Sequence, residues 1–512
     1  MPTTSLNLDQ IQGNILAGFN KDFQANLFLK FTGDAAGRAW IKEISDEVAA
    51  SSSAEVIEFN NQFAALKAQG VARPEELIAA IWVNLALSFT GLKALAVKAA
   101  DLAAFPQAFR DGMAQRKTEL GDVGASDPSH WVAPFSNPDD VHAVLIVAAD
   151  HAHALQQKVD ALTGTAAFKA GVEILRNQPG RTRPDLPGHE HFGFKDGISQ
   201  PGIRGVDPPD DPIGNPNQGH PGQDLLWPGE FVIGYATQIA AARPGADGPN
   251  PDPGPDSPAA PAWTADGSYL VFRRLRQDAA GFENHVAQLA ETLGWSIDLT
   301  GAKLVGRYKS GAPIAKRKFQ PGPYTPPSTD PGDPHHGNPE LANNNELNNN
   351  FEFADDPQGT FCPLAGHIRK AYPRDEVTPA GPENSESSTQ KRRLIRRGIP
   401  YGPPFDPHDP ASAQVDRGLL FFCYQSDIES HFEFVQKNWV NNPAFPPNPP
   451  GAANLPGPPG EDAVIAQSAS ATMLIDPTKA PVEIRHFVTT TGGEYFFSPS
   501  VKALQAIGDG SI

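Results

Sequence analysis

The sequence predicts an α+β fold built from two similar halves, each with the strand and helix order of a ferredoxin-like unit. Three observations carry that expectation. Apolar strand-like runs alternate with helical stretches through the first half, the alternation recurs in the second, and 47 Gly with 52 Pro make the chain too loop-rich for a helical bundle. A hydrophobic fraction of 39% is too high for a disordered chain, and 512 residues are ample for a buried core and an internal ligand site.

Taken in order, residues 26–31 (NLFLKF) alternate like a strand, and 35–49 follow as a helix whose apolar face holds Trp40, Ile41 and Ile44. Residues 81–89 (IWVNLALSF) are strand-like and 91–97 open a helix. The apolar run 141–147 (VHAVLIV) leads into a helix over 151–162, and 172–175 form a short further strand. This is the order of a split β-α-β unit with loops inserted between its pieces. In the second half, 268–275 (SYLVFRRL) is a strand, 280–293 a helix, 418–424 (GLLFFCY) a strand and 428–439 another helix. Residues 201–229, 243–262, 320–350 and 441–459 are too dense in Pro and Gly for ladders or helices, and are expected to wrap a binding site or bridge the halves. The Asn-rich run 341–350 (LANNNELNNN) reads as a surface loop.

A formal charge of −18 disfavours nucleic acid and anionic membrane surfaces as partners. No apolar stretch approaches the ~18 residues of a membrane span. Cys362 and Cys423 are the only cysteines, which excludes a disulfide framework and a four-Cys metal site but leaves room for one bridge. The N-terminal stretch MPTTSLNLDQIQGNILAGF has neither a basic region nor an apolar run of signal length. It predicts a cytoplasmic protein, with a secreted form whose signal has been removed as the alternative.

Three clusters carry chemistry. In HEHFGFKDGISQP (189–201), Gly193 and Gly197 bracket a lone acid, Asp196, beside Phe192 and Phe194. Glycines let the backbone approach another group closely, and a carboxylate in apolar surroundings has its pKa raised and can move protons. In FCPLAGHIRK (361–370), His367 sits among small apolar residues. Such a His is more often a core residue than a ligand, yet one of its nitrogens can bind a metal while the other donates to a carboxylate or carbonyl. Without CxxCH or a second patterned His, covalent haem attachment is excluded and zinc is poorly supported. In KRRLIRRGIPYG (391–402), five cations in seven residues make either a solvated face or an anion site.

Together these clusters resemble one family, the dye-decolorizing peroxidases, which are haem enzymes of two ferredoxin-like domains. GFKDG is similar to the family's GxxDG motif, CPLAGHIRK to its haem-ligand segment and RRGIPYG to its distal arginine segment. IQGNILAGF near the start, FRDGMAQR (109–116), GSYLVFRRLRQD (267–278), LVGRYKSGAPI (304–314) and GLLFFCYQSDI (418–428) also fit, so the resemblance spans nearly the whole chain in order. The length and long loops are most similar to the larger fungal-type and related bacterial members.

The resemblance implies an N-terminal domain over 1–225 carrying the distal acid, and a C-terminal domain over 226–512 that binds one non-covalent haem b. Asp196 and Arg396 would be the catalytic pair above the haem and His367 the iron ligand. Leu420 and Phe422 would line the distal pocket, and Asp427 or Glu429 would accept the Nδ1 proton of His367. Arg307 and Arg369 would meet the haem propionates. Hydrogen peroxide and organic electron donors such as bulky dyes and phenolic compounds would be the partners, with O–O heterolysis assisted by Asp196 and Arg396. Donors too large for the pocket would be oxidised at a haem edge or through Trp439, Tyr401 or Tyr372. The alternative is a haem carrier or sensor on the same fold, which has no need of an acid and an arginine on the open face.

Overall fold

The computed structural model describes residues 5–212, 215–242, 249–315, 342–376, 378, 386–447, 455–467 and 471–512. In the first half, strands β1 (Phe23–Phe31), β2 (Ile81–Ser88), β3 (Ala143–Ala149) and β4 (Val172–Arg181) lie side by side in the order β2-β3-β1-β4, all antiparallel. Helix α1 (Asp34–Ala49) follows β1 and α2 (Ala152–Gly164) follows β3. Trp40, Ile41, Ile44 and Val48 form the buried face of α1 at helical spacing.

The second half repeats this order. Strand β5 (Ser268–Gln277) leads into α3 (Ala279–Leu293), and two further helices, α4 (Ile297–Val305) and α5 (His367–Ala371), follow. Next come the short β6 (Ile395–Arg396) and β7 (Ile399–Tyr401), then β8 (Gly418–Gln425), π-helical turns at Glu429–Glu433 and Val435–Val440, and β9 (Val488–Ser498). The spatial order is β6-β8-β5-β9, with β7 also on β8.

The two sheets are one. Phe496 and Phe497 of β9 pair with Ser88 and Leu87 of β2. At the other ends, Gly180 of β4 is seated against Ile399 of β7, where a Cβ would come within 2.4 Å of the Ile399 side chain. The sheet therefore curls until its ends approach, and rings from four strands meet inside: Phe28 with Phe272 at 4.8 Å and Phe272 with Phe422 at 4.9 Å between centroids, with Phe496 beside them. Burial on both faces is why β3, buried throughout, reads as an unbroken apolar run rather than an alternating one. A last helix, α6 (Val501–Asp509), returns from the second half to pack on α1, with Gly508 against the Lys42 backbone.

Several expectations change. Strand β9 escapes a periodicity reading because Gly492 and Gly493 interrupt it: the ladder shifts register between Thr490 and Gly493, and the two glycines admit the Phe135 ring and the Met113 sulfur. The Pro/Gly-dense segments do contain short ladders. Gly202–Ile203 pairs with Leu225–Leu226, and Pro253–Asp256 with Ala236–Gln238, because two or three bonds suffice where the flanking turns hold the backbone. Residues 213–214, 243–248, 320–341 and 448–454 of those segments lie outside the described residues. Cys362 and Cys423 are free thiols, both buried. Among the described residues, no helix is long and apolar enough to cross a membrane.

Candidate active site

A deep cavity opens between the GFKDG turn, α5, the 392–398 segment and β8, and Asp196, His367 and Arg396 all line it. The turn is organised by Glu190, a half-buried carboxylate whose two oxygens accept the Phe192 and Phe194 amides at 2.8 Å each. Gly197, at φ 78, adopts a conformation that side chains disfavour. Its N–H donates to Asp196 Oδ1 at 2.6 Å. Arg396 Nη1 donates to the same oxygen at 2.8 Å, while its Nη2 donates to Ser199 O. Asp196 Oδ2 has no hydrogen-bond partner among the described residues.

Gln200 sets the position of Arg396 by a reciprocal pair: its amide donates to Arg396 O at 2.9 Å and its carbonyl accepts from Arg396 N. Burial pushes the Asp196 carboxyl up, but the Arg396 charge and hydrogen bond, with the Gly197 amide, hold it below its ordinary value. This corrects the expectation of a raised pKa at an acid between phenylalanines, because the guanidinium outweighs the desolvation.

His367 begins α5 and presents its ring to the cavity. A fully buried acid, Asp462, lies with Oδ2 at 2.9 Å from His367 Nδ1. The Val464 and Ile465 amides donate to Asp462 Oδ1, each at 2.8 Å. A carboxylate in this setting accepts, so Nδ1 carries the proton and Nε2 is the nitrogen left for a ligand. Burial lowers the His367 pKa, but the Asp462 charge and hydrogen bond reverse this and raise it; the same pairing lowers Asp462 against its own burial.

Comparison with known proteins decides the family. Residues 10–184 match the domain described as the DyP dimeric alpha+beta barrel domain, and 257–444 the Dyp-type peroxidase C-terminal domain. The chain is 34% identical to the dye-decolorizing peroxidase msp1 of Mycetinis scorodonius, covering 99% of this chain and 88% of that one. The chain belongs to the dye-decolorizing peroxidases. It is also 29% identical to the multifunctional dye peroxidase DyP2 of an Amycolatopsis strain, over 98% of this chain and 96% of that one. An ancestral D-type dye-decolorizing peroxidase superposes with a TM-score of 0.75 at 36% identity, covering 99% of each chain.

Dye-decolorizing peroxidases are haem enzymes, and the residues lining the cavity suit that group. The walls are largely apolar, with Phe192, Leu275, Val305, Leu419, Phe421 and Val464 among them. Nε2 of His367 has no hydrogen-bond partner among the described residues. At the cavity wall, the guanidinium groups of the buried Arg307 and Arg374 bond, among the described residues, only carbonyl and amide oxygens, those of Gly311, Asn348, Asn349 and Phe351. Burial lowers the pKa of both, that of Arg307 to about 9. Neither has an ion-pair partner among the described residues, so a cofactor carboxylate there would meet uncompensated positive charge.

Four sequence expectations for the peroxidase are corrected here. The acceptor at His367 is Asp462 rather than Asp427 or Glu429: Asp427 accepts the Ser430 amide, and Glu429 faces Arg116. The β8 residues in the cavity wall are Leu419 and Phe421, whereas Leu420 and Phe422 point into the sheet interior, since successive strand residues alternate faces. Arg369 does not line the cavity; it is completely buried between Asp356 and Glu376 and donates to Cys362 O. The Asn-rich run is not a surface loop at its end: Asn348, Asn349 and Asn350 are buried, and the first two hold Arg307.

Of the three aromatics, Trp439 and Tyr401 are core residues away from the cavity wall, while Tyr372 lines it. Asp462, Gln200, Glu190 and Arg374 were not anticipated. Arg374, seven positions after His367, was legible only as one more cation, and Asp462 as an acid ahead of an apolar stretch after a Pro-rich loop.

Proposed function

We propose that the chain uses hydrogen peroxide to oxidise organic donors such as bulky dyes and phenols, with a single, non-covalently held haem b. Support comes from the named relatives and from a further solved structure similar to this chain, a dye-decolorizing peroxidase in complex with 2,6-dimethoxyphenol. The observation that carries the reading is the Asp196–Arg396 pair, in which one carboxylate oxygen is held twice and the other is left open. His367 would hold the haem iron through Nε2, and Arg307 with Arg374 would hold its propionates. When bound, haem supplies the iron at which peroxide is reduced and the oxidising power that donors then discharge.

The chain's own groups do the proton work. Asp196 Oδ2 takes the proton from one peroxide oxygen and returns it to the other, so that the departing oxygen leaves as water. Arg396 Nη1 keeps the carboxylate ionised and offers positive charge where negative charge develops as the O–O bond breaks. Asp462 holds the Nδ1 proton and so keeps the His367 ring oriented and electron-rich. A second, polar hollow shares Lys195, Asp196, Gly197 and Ile198 with the cavity and is lined further by His220, Gln223 and Asn349. It offers a route by which a small hydrogen-bonding oxidant would reach the Asp196 carboxylate. The two-domain division, 1–225 and 226–512, is supported by the two separate family matches and by the repeated strand order.

The test is the absorption spectrum of haem-loaded protein before and after one equivalent of peroxide, in wild type and Asp196→Asn. Rapid conversion of the Soret band in wild type and slow conversion in the variant are expected. A Soret band indifferent to peroxide would indicate a carrier instead.

A further inference from the structure

The segment that carries Asp462 hangs on residues 436–443, the end of the second π-helical turn and the chain just beyond it. The Asp462 N–H donates to Val440 O and the Gly460 N–H to Pro443 O, at 3.0 Å each. The Gln467 N–H donates to Asn441 Oδ1 at 3.2 Å, and the Gln436 side-chain amide to Ile465 O at 3.4 Å. With four such bonds, the acid goes where 436–443 goes. One side chain ties that segment to the helix of the iron ligand. Lys370 stands on α5 three residues after His367 and donates through Nζ to Asn442 O. Among the described residues, this is the one hydrogen bond between α5 and 436–443.

Lys370 is an expensive residue for its position. It has no exposed surface, its Nζ lies 5.6 Å from the centroid of the Phe445 ring, and it makes no ion pair among the described residues. Burial pulls its ammonium down to about 7 against the charges of Asp462, Glu461 and Glu376. An apolar side chain would fill the same space without the cost of burying an amine, so packing alone does not account for a lysine here. Charged or neutral, the amine keeps N–H groups to donate, and the bond to Asn442 O does not depend on its ionisation.

The contacts close a circuit. It runs from His367 to Lys370 along α5, from Lys370 to Asn442 O by the hydrogen bond, back along the chain to Val440, from Val440 O to the Asp462 amide, and from Asp462 Oδ2 to His367 Nδ1. Opening it at Lys370 lets the acid drift relative to the helix, and an acceptor that drifts polarises the imidazole less.

We propose that Lys370 is a positioning residue for the iron ligand, clamping the segment that carries Asp462 to the helix that carries His367 and so setting the strength of the bond between them. This rests on the reading of His367 as the residue that holds haem.

Resonance Raman spectroscopy of the ferrous, haem-loaded enzyme tests the clamp, because the iron–histidine stretch rises as the Nδ1 proton is drawn harder towards its acceptor. Asp462→Asn calibrates the scale by lowering that frequency. Lys370→Met, which keeps length and apolar bulk, is expected to lower it in the same direction and to speed haem transfer to apo-globin at least about three-fold, short of the ~10–100-fold expected when the acceptor itself is lost. Lys370→Arg, which keeps a donor, should stay nearer to wild type. If Lys370→Met does not fold, Lys370→Gln, too short to reach Asn442 O, is read in its place with the same expectation. An unchanged frequency in the folded variant, whatever its unfolding midpoint, would make Lys370 a structural residue and overturn the clamp. A raised frequency would also overturn it, since the ammonium would then act on Asp462 as a charge. A wild type without an iron–histidine band that answers to Asp462→Asn would remove the reading of His367, and the clamp with it.

Discussion

His367 Nδ1 and Asp462 Oδ2 lie 2.9 Å apart, joined across 95 positions of the chain, and Asp462 has no exposed surface. The acid spends one oxygen on two backbone amides and the other on the imidazole, so the ring can neither rotate nor exchange its tautomer without breaking a buried bond. Replacing Asp462 by Asn keeps the shape and removes the charge. Haem retention, measured as transfer to an apo-globin acceptor, is expected to weaken about 10–100-fold.

The acid limb of dye oxidation reports Asp196. It must be ionised to accept a proton, and because Arg396 outweighs burial its folded pKa is depressed, so activity should persist below the ordinary aspartate value of about 3.9. Removing the guanidinium in Arg396→Leu takes away the largest of the influences that oppose burial and should move this limb to higher pH by at least about one unit. A pH profile of kcat/KM in both proteins checks it, and an alkaline optimum in wild type would count against Asp196 as the base. The same depression contributes stability above the unfolded-state pKa that is lost as pH falls through the folded one.

The two faces of β8 should separate stability from access. Phe422 is packed against Phe272 in the sheet interior, so Phe422→Ala should cost about 3–5 kcal/mol in urea unfolding. Leu419→Ala lies on the cavity wall and should instead alter KM for donors while shifting the unfolding midpoint much less.

Arg369 offers a contrast among the arginines. Completely buried between Asp356 and Glu376, it is a structural cation, and Arg369→Met should destabilise the fold by roughly 3–5 kcal/mol by stranding two carboxylates. Arg374→Met should show itself first as a faster loss of haem, followed by the decay of the Soret band.

By itself the sequence determined the alternation of strands and helices and the residues of three motifs, Asp196, His367 and Arg396, that the fold brings to one cavity. Periodicity and turn chemistry are properties of neighbours along the chain, and they survive without knowledge of what packs on what. Only the tertiary structure decided which acid meets His367, which arginines line the cavity, and which residues of GLLFFCY face it. Each of these depends on contacts between distant segments, and a strand read one residue out of register turns every side chain to the other face. The pairing of β9 with β2, which makes two sheets into one, was hidden for a related reason: its glycines answer to Phe135 and Met113, far away in sequence, and their lack of side chains erases the pattern by which a strand is read.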